Sequence, residues 1–173
     1  MSAWRQLTLL LLIPLFLHAC AKPEGDDAIR MGLASAPITL DPRYATDATS
    51  DRINRLLYQR LIGFDEQSMP MPGIADWQRL SAHHYRFRLN SKAGRFSHGP
   101  SLAADDVIAT YRHVLDKNNA SPKRSALTLI ESLSKVDDET VDFKLSRADP
   151  LFPAYLTLEI LPADLIAENH DFA

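Results

Sequence analysis

The sequence predicts a mixed α/β (α+β) chain. Apolar residues alternate with polar ones at Tyr85–Leu89 and Thr140–Leu145, as in half-buried strands. They recur at helical spacing near residues 46–62 and 102–117. Hairpin signals lie between the helices rather than in a block of their own, which excludes an all-helical or all-strand chain. The 173 residues suffice for one core, and 46% hydrophobic with 24% charged residues is globular rather than disordered composition. Nineteen Lys+Arg against 22 Asp+Glu leave no basic footprint, so no nucleic-acid partner is expected. The single Cys excludes an intramolecular disulfide framework and a multi-Cys zinc site.

Residues 1–19 read as an export signal. Arg5 precedes the uncharged run Leu7–Leu17 (LTLLLLIPLFL), too short for the ~20 apolar residues of a bilayer span. The run closes on Leu17-His18-Ala19-Cys20. A small residue directly before Cys resembles the lipobox of bacterial lipoproteins, and that resemblance implies lipid attachment at Cys20. The alternative is an ordinary signal with Cys20 incidental. Residues 20–27 then form a polar tether, and residues 28–173 the folded part.

Ala28–Ala34 (AIRMGLA) alternates and predicts a first strand, followed by a loop through Asp41-Pro42. Thr46 and Asp47 are start signals for a helix to Ile62, with Ile53, Leu56, Leu57 and Leu61 as its apolar stripe and Gly63 as its stop. Met69–Gly73 (MPMPG) is a turn-rich connector. After the Tyr85–Leu89 strand, Lys92–Gly94 predicts a turn and Arg95–Ser97 a returning strand. Ser101 is the expected cap of a helix over Leu102–Lys117, with Asp105 and Asp106 in its first turns and Val107, Ile108, Tyr111, Val114 and Leu115 buried. Ser125–Val136 stays open between short helix and strand. Asp137–Glu139 turns into the Thr140–Leu145 strand, making a hairpin with Leu133–Val136. A short helix at Phe152–Leu156, a strand at Leu158–Leu161 and a helix from Pro162 to Glu168 complete the pattern.

No catalytic set emerges. G-x-S-x-G is absent, no Gly-Lys-Ser/Thr follows Gly94 or Gly99, and no His has another at i+3 or i+4. Asp105/Asp106 and Asp137/Asp138 read as a helix N-terminus and a solvated turn rather than a glycosidase pair, and Tyr85, Phe87 and Phe96 as core aromatics rather than a stacking platform. No enzyme, cofactor or metal site is expected.

Six segments in register carry a resemblance. They are Thr39-Leu40-Asp41-Pro42, Ile53–Phe64 (INRLLYQRLIGF), Met71–Trp77 (MPGIADW), Tyr85–Leu89, Phe96–Val107 (FSHGPSLAADDV) and Thr140–Leu145 with Pro150-Leu151-Phe152. In order and spacing, over residues 29–163, they resemble the extracytoplasmic solute-binding proteins of peptide/nickel ABC importers. Gln59, His98 and Ala103 depart from the family's usual Glu, Asp and Thr. The resemblance implies part of a type II periplasmic-binding-protein fold: the start of lobe one plus a small accessory domain, with the second lobe absent. It implies binding rather than catalysis, two lobes closing over a peptide or other small solute. It implies delivery to an ABC permease in the inner membrane, and a lipid-anchored place on the periplasmic side of the inner or outer membrane. The family's Asp for a peptide amine lies outside this sequence. Leu33, Ala34, Ser35 and Ala36, after the first strand, are cleft candidates, with loop packing as the alternative. The other readings are a truncated or structural lipoprotein without a ligand and, last, a lipid-anchored hydrolase.

Overall fold

The computed structural model describes residues 30–172. The chain divides into a unit Met1–Gly32 and a unit Leu33–Ala173. Cys20 and the predicted signal and tether lie outside the described residues, and every described helix and strand belongs to the second unit. Arg30–Ala34, the described part of the predicted first strand, has no strand geometry.

Helix α1 (Ala48–Leu57) starts where the sequence places a start signal: Asp47 Oδ1 accepts from Thr49 N and Ser50 N. It is shorter than predicted and turns the other way. Ser50 and Asn54 are fully buried, while Leu56 and Leu57 are 67% and 55% exposed. Ser50 faces inward because its Oγ accepts from Ile38 N and Thr39 N, pinning the preceding loop. Tyr58 ends the helix in extended conformation, so Gly63 is not its stop. Gly63 lies instead in β1 (Ile62–Phe64), which pairs antiparallel with β2 (Pro70–Pro72). The predicted Met69–Gly73 connector therefore carries the return strand of a hairpin. Gly73 is required after it, since a Cβ there would stand 2.6 Å from Arg60 O.

The main sheet has strands β3 (Ala75–Ser81), β4 (His84–Leu89), β5 (Ile130–Asp137) and β6 (Thr140–Leu145), in the order β3-β4-β6-β5, all antiparallel. Strand β4 buries Tyr85, Phe87 and Leu89, as its alternation requires. Strand β6 buries Val141, Phe143 and Leu145 on the same side. Helix α2 (Ala104–Leu115) covers that face with Val107, Ile108, Tyr111 and Val114. The rings of Tyr111, Phe87 and Phe152 lie 5.2–5.6 Å from that of Phe143. The Ser125–Val136 ambiguity resolves into both elements: the short helix α3 (Arg124–Leu127), then β5.

Three other expectations change. Arg95–Ser97 is not a strand; Arg95 makes one isolated bridge to Ser101, around a turn where Gly99 has φ +118°. Leu158–Leu161 is likewise reduced to one bridge, Arg60 with Glu159, because Glu159 must reach Arg60. Ser101 does not cap α2. The cap position is Ala103, and the missing acceptor comes from inside the helix: Asp106 Oδ2 takes Ala103 N at 2.8 Å. Asp106 Oδ1 takes Ala163 N at 2.7 Å, at the start of the last helix α4 (Ala163–Ala167).

At the other end of α2, the Asp41-Pro42 turn is locked down. Arg43 donates from Nε and Nη2 to the two oxygens of Asp41, at 2.9 and 2.6 Å. Its remaining nitrogen, Nη1, lies 3.2 Å from His113 Nδ1. Arginine only donates, so Nδ1 accepts and Nε2 carries the proton. That proton goes to Tyr44 Oη at 3.0 Å, and Tyr44 in turn donates to Asn119 O. Burial first, and then Arg43, hold the His113 imidazole below its ordinary 6.5, against the weaker pull of Asp41 and Asp116.

These ties have two measurable consequences. Asp106→Ala strands two backbone N–H groups and should cost roughly 2 kcal/mol in denaturant melts, whereas Ser101→Ala should leave stability unchanged. Neutral His113 favours folding fully above pH 6.5, and that contribution falls as pH drops below 6.5 towards the depressed native value. Between pH 7.5 and 5.5, denaturant midpoints should therefore fall further for the wild type than for His113→Gln; equal falls would contradict the assigned proton.

Candidate functional site

Among the described residues, two of the surface cavities lie beside the stretch that runs from Tyr155 to Pro162. The first, about 290 Å³, is mostly apolar and aromatic: Tyr58, Phe96 and Phe172 line it with His98, whose ring stacks on Phe96 at 5.7 Å. The second, about 320 Å³, gathers charge. It lies between α1, the β1 strand, the segment leading into α3 and the stretch Tyr155–Glu159. Both are at the small end of ligand pockets and open to solvent on one side.

The second cavity is built around a buried carboxylate. Glu159 is only 3% exposed. Arg60 donates to its Oε1 from both Nε and Nη2, and also stands 3.6 Å from Asp51 Oδ1. Asp51 is shared with Arg55 one helical turn on, at 2.6 Å. These pairs place α1, the start of β1 and the Tyr155–Glu159 stretch in fixed relation. A buried carboxylate without such a partner would be far too costly to retain. The charge also reaches nearby phenols: burial pushes Tyr111 strongly up, and Glu159 adds to it. Tyr58 is raised by burial first, then by Asp41 and Glu159. Phe64 and Tyr155 supply aromatic edges to the same cavity, and Tyr155 Oη is steadied by Asp149 Oδ2 at 3.1 Å.

The predicted cleft residues Leu33, Ala34, Ser35 and Ala36 are exposed coil and line neither cavity. Ser35 Oγ is 3.0 Å from Thr49 Oγ1, so the segment lies over the first turn of α1. Sequence reasoning passed over Arg60, Lys123, Tyr155 and Glu159. One signal was available: Glu159 interrupts the apolar run Leu158–Leu161, and a charge inside such a run needs a partner. Among the described residues no three potential metal ligands come together. The arrangement offers fixed charges of both signs beside apolar edges.

Comparison with known proteins identifies the family. Residues 69–172, more than half of the chain, match the family described as bacterial extracellular solute-binding proteins, family 5 Middle. The oligopeptide-binding protein AppA of Bacillus subtilis is 27% identical over 166 residues, 87% of this chain and 31% of AppA. The periplasmic oligopeptide-binding protein OppA of Escherichia coli is 27% identical over 132 residues, 66% of this chain and 24% of its own. The structure of AppA from Bacillus subtilis in complex with a nonapeptide superposes with a TM-score of 0.73 at 28% identity, over 79% of this chain and 28% of that one. NikZ from Campylobacter jejuni in complex with Ni(L-His) shares the fold, with a TM-score of 0.68 at 23% identity over 80% of this chain and 28% of that one. The chain thus spans less than a third of the length of these relatives. The matched stretch covers the whole main sheet and its covering helix, and the chain belongs to the family 5 bacterial extracellular solute-binding proteins.

Proposed function

We propose that this chain is the part of an ABC importer's solute-binding protein that supplies one wall of a peptide-binding cleft. The observation that carries the reading is the family match together with the charge-lined cavity around Arg60 and Glu159. The relatives named as oligopeptide-binding support peptides as the solute class. A peptide carries a carboxylate at one end and amide groups along its length, and the cavity offers cationic side chains beside aromatic edges. Leu33–Ala36 border the cleft beyond α1 in this reading. Capture is followed by delivery to a permease in the inner membrane. Cys20 carries the lipid that keeps the protein at the membrane, with chains contributing ~0.8 kcal/mol per buried CH₂. The work is binding; no bond in the solute is made or broken.

An open cavity buries one side of an extended peptide, against the ~70–90% burial of an enclosed ligand. Calorimetry of the chain against a peptide mixture should therefore give at best millimolar binding, on the order of −4 kcal/mol. A micromolar, stoichiometric isotherm would show a complete site and overturn the one-wall reading. Cys20→Ser should abolish incorporation of a fatty-acid analogue during metabolic labelling and leave the precursor unprocessed; equal label on both proteins would remove the anchor from the proposal.

A further inference from the structure

The charges around the second cavity do not balance. Three cations line it, Arg55, Arg60 and Lys123, against two carboxylates, Asp51 and Glu159. Asp51 and Glu159 are both taken by the two arginines. Lys123 is half-buried, and among the described residues its ammonium has neither an ion pair nor a hydrogen bond. Its backbone, by contrast, is held firmly. Lys123 N donates to Ser121 Oγ at 3.3 Å, and Ser121 Oγ donates to the carbonyl of Arg43 at 2.7 Å. A fixed backbone, a free ammonium and a cavity with one uncompensated positive charge together describe a receptor for an anion. Phe64 and Tyr155, 44% and 38% exposed, flank it with apolar surface, which an inorganic ion would not use.

We propose that Lys123 is a specificity-determining residue of this cavity: its ammonium pairs with a carboxylate of the bound solute, so that acidic peptides are selected over neutral ones. The proposal rests on the solute-binding reading above and adds the charge class of the solute. The carboxylate has two sources, a peptide's C-terminus or an acidic side chain, and the same chemistry serves both. Arg60 is not the anchor, because Glu159 and Asp51 already occupy its fork.

The test uses the full chain in detergent micelles, with its lysines carrying [13C]dimethyl groups, a change that keeps their charge. Lys123→Arg assigns the Lys123 signal by its loss. Four peptides are titrated to about 100 mM, well above a millimolar Kd: Ala-Ala-Ala as free acid, its C-terminal amide, Ala-Glu-Ala amide and Ala-Gln-Ala amide. The free acid, the Glu-containing amide or both should shift the Lys123 signal saturably, and bind roughly tenfold more tightly than their neutral counterparts. Whichever of the two binds tighter identifies the source of the carboxylate. Lys123→Gln should erase the difference between acidic and neutral peptides, and Lys123→Arg, followed by the amide signals of the chain, should keep it. If peptides bind with no dependence on their charge, or shift other signals but not Lys123, the selectivity is overturned and solute binding stands. If no peptide shifts any signal, both are overturned.

Discussion

One aromatic sheet face has to be covered, and α2 is the helix that covers it. Tyr85, Phe87 and Phe143 would otherwise present a large apolar surface to water; Tyr111 of α2 closes over Phe143, and Phe152 packs against all three. Fixing α2 there also fixes its flanking face, to which two other segments of the chain, Leu161–Ala163 and Arg43–Tyr44, are tied. Asp106 at its first turn holds Ala103 and Ala163. Thr110 at its middle exchanges hydrogen bonds with the backbone of Leu161 in both directions. His113 at its last turn holds Arg43 and Tyr44. A polar residue recurs every three or four positions on a helix whose other face is apolar. The sheet thus positions the helix, and the helix positions the segments that frame both cavities.

The tie at Leu161 delivers Glu159 to the interior beside Arg60. A lone carboxylate in that place would unfold the segment or take up a proton; a pair with Asp51 as a further counter-charge does neither. Arg60 Nε and Nη2 both go to Glu159 and Arg55 Nη2 goes to Asp51, so the two pairs tie α1 and the start of β1 to the Tyr155–Glu159 stretch. Glu159 and Arg60 therefore hold the shape of the cavity more than they contact what enters it.

Strands β4 and β6 were legible because alternation records which side is buried, and both turn their alternating side chains to the same core. The β5–β6 hairpin was legible from its Asp-Asp-Glu turn and the apolar runs beside it. Helix α1 was legible in existence and in its cap, but not in its orientation. Periodicity at Ile53, Leu56 and Leu57 marks an apolar stripe without saying what it faces, and Ser50 and Asn54 are the residues turned inward. Prolines hid β2, since Pro70 and Pro72 give no donor and read as turns, yet a two-stranded pairing tolerates them at an edge. Ser101 misled because cap preference is a local rule; the helix starts two residues later, behind Ala103, whose own N–H goes to Asp106 Oδ2. The charged cavity was illegible for a different reason: Asp51, Lys123 and Glu159 are far apart in sequence, and only the fold brings them together.

Selectivity in such a cavity depends on which groups each state leaves unpaired. With a neutral peptide bound, the Lys123 ammonium loses water without gaining a counter-charge, a cost that no apolar contact at Phe64 or Tyr155 removes. With a carboxylate bound, the same desolvation strengthens the pair, because the surrounding dielectric falls as water leaves. Only one side chain has to change conformation, since Arg55 and Arg60 remain with Asp51 and Glu159. The ordering cost is therefore one lysine's rotamer freedom, up to ~2 kcal/mol, comparable to the ~1.5–3 kcal/mol of a charged hydrogen bond. Discrimination in an open, one-sided cavity is accordingly modest, and it grows with whatever excludes water from around Lys123.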